Sequence, residues 1–70
     1  MSFALVRGRP GISASDLLFR RADEYAIRAA HQAELAETGD EVARTAALVF
    51  TVVETVLREV AEVAALEEAA

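Results

Sequence analysis

Seven positions between residues 42 and 63 follow one another at alternating steps of four and three, and six of them are valine: Val42, Ala46, Val49, Val53, Val56, Val60 and Val63. That spacing keeps one apolar seam on one side of an α-helix for three heptads. A strand would need apolar and polar residues to alternate. The β-branched run Leu48-Val49-Phe50-Thr51-Val52-Val53 does not alternate. The helical repeat also places Arg44, Thr51 and Arg58 opposite the seam. Phe50, Leu57, Ala61 and Ala64 flank the seam on one side, and Leu48, Val52 and Leu66 widen it on the other. A helix apolar over so much of its circumference is expected to be buried inside something larger than a pair of helices.

A second helix precedes it. Ser13 is suited to cap that helix, with Asp16 reaching back in the manner of a capping box and Ile12 and Leu17 at the staple positions. Ala22, Ala29 and Ala36 recur every seven residues, with Leu18, Tyr25 and Gln32 between them and Phe19, Ala26 and Ala33 alongside. Small residues in such rows allow helices to approach closely. Gln32 is the one polar interruption, either a wet edge of this stripe or a buried amide that fixes register. Gly39 is the natural residue for the left-handed position that ends the helix, and Thr38 with Glu41, or Asp40 alone, can cap the next one. The expected first helix covers about 14–37 and the second about 41–66, followed by a frayed acidic tail. A connection as short as Thr38-Gly39-Asp40 forces the two helices to be adjacent and antiparallel. Glu24–Arg28, Asp40–Arg44 and Glu54–Arg58 have the favourable i,i+4 order for surface ion pairs.

Seventy residues make one domain at most, and a chain this short rarely stabilises itself by a lone core. Small folds add disulfides, a metal or a partner subunit. With no cysteine and one histidine, the expected supplement is a second copy or another protein. Two such hairpins packed through the second helix would close the apolar surface as a four-helix bundle. The fold expected is therefore all-α: an antiparallel helical hairpin over 13–70, preceded by a short irregular arm over 1–12 and assembling as a bundle. The longest apolar stretch, Ala46 to Val53, falls far short of the ~20 residues that span a bilayer, and residues 1–10 lack the pattern of a signal peptide. A cytoplasmic protein is expected, without a membrane partner. All seven basic residues are arginine, and with abundant Ala, Val and Glu this points to a GC-rich bacterial or phage genome.

Charge is uneven along the chain. Residues 1–28 carry Arg7, Arg9, Arg20, Arg21 and Arg28 against three acids, whereas residues 29–70 carry Arg44 and Arg58 against nine. In the arm, Arg7-Gly8-Arg9-Pro10 resembles the core of an AT-hook, the short element that lies in the minor groove of A·T-rich DNA. The resemblance covers four residues. It implies Arg7 and Arg9 along the groove floor, with Gly8 allowing close approach. Val6 and Gly11 depart from the Pro or basic residues common there, and the net charge of −5 opposes an affinity dominated by phosphate neutralisation.

No set of residues spells out catalysis or a cofactor site. His31 falls on the charged side of the first helix near Glu34, with no Ser or Cys nucleophile placed to use it. Di-iron bundles use Glu-x-x-His, and here Arg28 stands three residues before His31. Glu34, Glu37, Asp40 and Glu41 cluster at the turn, where capping and solvation account for them. Tyr25 lies on the packing stripe. The expectation is a non-enzymatic interaction protein, an accessory or regulatory subunit with no cofactor, metal or small-molecule substrate. Its assembly residues would be Val42, Val49, Phe50, Val53, Val56, Leu57, Val60 and Val63, and its partners itself, as a homodimer, or another protein. The alternative is a small antitoxin-like regulator that places Arg7 and Arg9 on DNA and the acidic helix on a protein partner.

Overall fold

The computed structural model describes residues 13–70, which form two α-helices that pack against each other, with no strand among them. The arm over 1–12, with Arg7, Arg9 and the staple residue Ile12, lies outside the described residues.

Helix α1 spans Ala14–Ala36 and helix α2 spans Glu41–Ala69. Ser13 is the N-cap of α1. Its backbone is extended, and its Oγ accepts the Asp16 N–H at 3.1 Å, which satisfies one of the amides that the first turn leaves without a partner. At the other end the N–H groups of Thr38 and Gly39 donate to the carbonyls of Leu35 and Ala36. Gly39 takes φ +96°, a conformation that the absence of a Cβ makes accessible. Asp40, rather than Thr38, caps α2. Its carboxylate accepts the Ala43 N–H at 3.0 Å, while the Thr38 hydroxyl turns back to donate to the Leu35 carbonyl at 2.6 Å. Helix α2 runs three residues past the expected Leu66, so the acidic tail expected to fray is helical through Ala69.

The surface through which the hairpin closes differs from the valine seam. Among the half-buried and buried positions of α2, Ala43, Ala47, Phe50, Glu54, Leu57, Ala61 and Ala64 form a row with its own 4-3 spacing. On α1 the matching row is Ser15, Leu18, Ala22, Tyr25, Ala29, Gln32 and Ala36. Ala22 and Ala61 are completely buried, and Ala43 nearly so. No residue larger than alanine is fully buried among the described residues. Phe50 and Leu57, which the sequence places beside the seam, thus form the hairpin contact itself. The physical reason is complementarity of size. Alanine rows on both helices allow close approach, with Phe50 and Leu57 the large apolar side chains of the α2 row and Phe50 meeting Tyr25 of α1.

Candidate protein-interaction surface

Val42, Val49, Val56 and Val63 each stand one residue before a contact residue of α2, namely Ala43, Phe50, Leu57 and Ala64. One residue is about 100° of helix rotation, so closing the hairpin turns the valine row sideways and uncovers it. Val42, Val49, Val56, Val60 and Val63 remain between 48% and 78% exposed. Val53 is half-buried between the two rows, and Val52 and Leu66 extend the exposed apolar surface away from α1. Of the eight residues expected to make an assembly interface, the structure gathers Val42, Val49, Val56, Val60 and Val63 on one open face. It commits Phe50 and Leu57 to contact with α1.

Ion pairs fix which side of the hairpin this face occupies. Arg58, one residue after Leu57, donates through Nη2 to Asp23 at 2.9 Å and through Nε to Glu54 at 2.9 Å. Asp23 is likewise one residue after Ala22, so the residues that follow the contact rows meet on one side. The residues that precede them, the valine row on α2 and Arg21, Arg28 and Leu35 on α1, share the opposite side. There the Arg28 guanidinium lies 4.9 Å above the Tyr25 ring, and that ring meets Phe50 with centroids 5.8 Å apart at 46°, a tilted geometry favoured by aromatic quadrupoles. Arg21 pairs with Glu24 at 3.0 Å. The open face is thus a valine floor with one basic, partly stacked edge.

Two polar contacts tie the hairpin together over long sequence distances. The Arg58 bridge to Asp23 is one. Hydrogen bonds to Asp23 first and Glu54 second hold the guanidinium pKa above its ordinary value. The other is at the open end, where the Glu68 carboxylate accepts the Ser15 hydroxyl at 2.7 Å and the Ser15 N–H at 3.1 Å. The hydroxyl bond and then the amide bond lower the Glu68 pKa, against smaller opposing effects from desolvation and then from Asp16. An acid placed on the first turn of α1 is also favoured by the helix dipole. Local periodicity gives neither partnership, although Glu54 and Glu68 occupy the same heptad position as Ala47 and Ala61. Acids in an otherwise small, buried row are the signal that could have shown them to be held across the hairpin. The expected pair Glu54–Arg58 is present.

On the side away from the valines a shallow open groove of about 360 Å³ runs between the helices near the turn, floored by Ala29, Ala33, Ala36 and Ala47 and edged by Arg44 and Thr51. His31 is exposed. Among the described residues no three His, Cys, Asp or Glu side chains lie together as a metal site would require, and no helix is long and apolar enough to cross a membrane. Compared with models of protein families, with curated proteins and with solved structures, the chain matches none.

Proposed function

We propose that this chain is a non-catalytic protein–protein interaction module, a small accessory or regulatory subunit that assembles through the valine face of α2. The observation that carries the reading is the exposure of Val42, Val49, Val56, Val60 and Val63 after the hairpin has closed. Fully burying a valine is worth ~1.5–3 kcal/mol relative to leaving it in water, so covering these partly exposed side chains would add ~1 kcal/mol each. A fold whose fully buried core is alanine has little else to draw on. The face offers hydrophobic burial and no group that moves a proton or an electron. Two hairpins, or a hairpin and a helical partner, would complete a four-helix bundle by covering it.

The test is site-specific photo-cross-linking in the native host. A photoreactive side chain at position 49, on the valine face, should give higher-mass adducts, whereas one at position 51, on the other side of α2, should not. Equal adduct formation from both positions, or none from either, would remove the valine face as an assembly surface.

A further inference from the structure

Resting on that reading, we propose that the occupant of the valine face is a second copy of this chain, with the two α2 helices antiparallel. The first ground is self-complementarity. Val42 and Val63 lie equally far from the midpoint between residues 52 and 53, and so do Val49 and Val56. The companion row Ala46, Val53 and Val60 is centred on Val53. The two rows therefore share a midpoint to within half a residue. A twofold axis there sets Val42 opposite the partner's Val63 and Val49 opposite the partner's Val56, so that exposed valine meets exposed valine along the stripe. A symmetric dimer needs a patch that reads the same from both ends, and the stripe meets that requirement.

The second ground is charge. Beside the valine stripe the second half of α2 carries Glu59 and Glu67, seven residues beyond Val52 and Val60, whereas Glu54 and Glu68 are engaged with Arg58 and Ser15. An antiparallel copy about that axis sets Glu59 opposite the partner's Ala46. A parallel copy would set Glu59 and Glu67 each beside its own counterpart, with like charges held close.

The experiment uses the purified full chain. Sedimentation equilibrium over a wide concentration range should give twice the chain mass of 7.5 kDa. Val49→Asp should weaken self-association at least about tenfold, because a carboxylate would be desolvated against valine without a partner, while far-UV dichroism stays helical. The chain has no native cysteine, so Val42→Cys and Val63→Cys can be made singly, mixed and oxidised. The mixed Val42→Cys/Val63→Cys disulfide should form in large excess over either homodimer. A folded monomer at every concentration overturns the proposal, as does a Val42→Cys homodimer formed as readily as the mixed species. If a monomer is found while position 49 still cross-links to another protein in the host, the interaction face stands and only the second copy falls. If neither occurs, both fall.

Discussion

Two apolar rows run side by side along α2 and meet different fates. One, from Ala43 through Phe50 and Leu57 to Ala64, is built mostly of alanine with two large side chains, and α1 covers it. The other, from Val42 to Val63, is almost all valine, and α1 leaves it open. Hydrophobicity alone would choose the opposite assignment, since valine gains more on burial than alanine. What decides is fit. α1 presents Ala22, Ala29 and Ala36, and an alanine surface packs closely against another alanine surface, with Tyr25 set at a tilt against Phe50. The more apolar row is thereby left for a partner, and the less apolar row holds the subunit together.

The largest effect that would break this comparison comes from neighbouring residues. Ala61→Asp puts an unpaired charge at a fully closed contact, a change that costs about 3–5 kcal/mol, and urea titration followed by circular dichroism should show the hairpin largely unfolded. Val60→Asp, at a side chain 48% exposed, should lose only the part of the stability that rises with protein concentration. Equal unfolding of the two in dilute solution would mean that the rows are not distinct.

A smaller effect tests what sets the rotation of α2. Gly39→Ala meets no atom within 4 Å, so its cost is the left-handed backbone alone, about 1–2 kcal/mol. The check is a lower thermal midpoint with helicity unchanged. No change in midpoint would show that the turn does not hold the helices in register.

The smallest effect concerns the clasp at the open end. Because the folded Glu68 pKa lies below its ordinary value of 4.5, its contribution to stability is present above that pH and is lost as pH falls through the folded value. Wild type should exceed Glu68→Gln in denaturant midpoint at neutral pH, and the gap should close on acidification below 4.5. A gap independent of pH would mean that the Ser15 contacts do not distinguish the carboxylate from the amide.

Both helices, the cap at Ser13, the left-handed Gly39 and the antiparallel hairpin are legible in the sequence. Each depends on residues within four positions of one another or on a connection too short to allow another path. Periodicity also shows that α2 has more apolar surface than one neighbour needs. It does not say which of two adjacent 4-3 rows the neighbour takes, because a rotation of about 100° about the helix axis exchanges them and leaves every local signal unchanged. Only packing against the alanine rows of α1 settled that choice. The same packing brought Arg58 to Asp23, 35 residues away, and Glu68 to Ser15, 53 residues away, since such partners are chosen by the register of two helices and not by spacing along one.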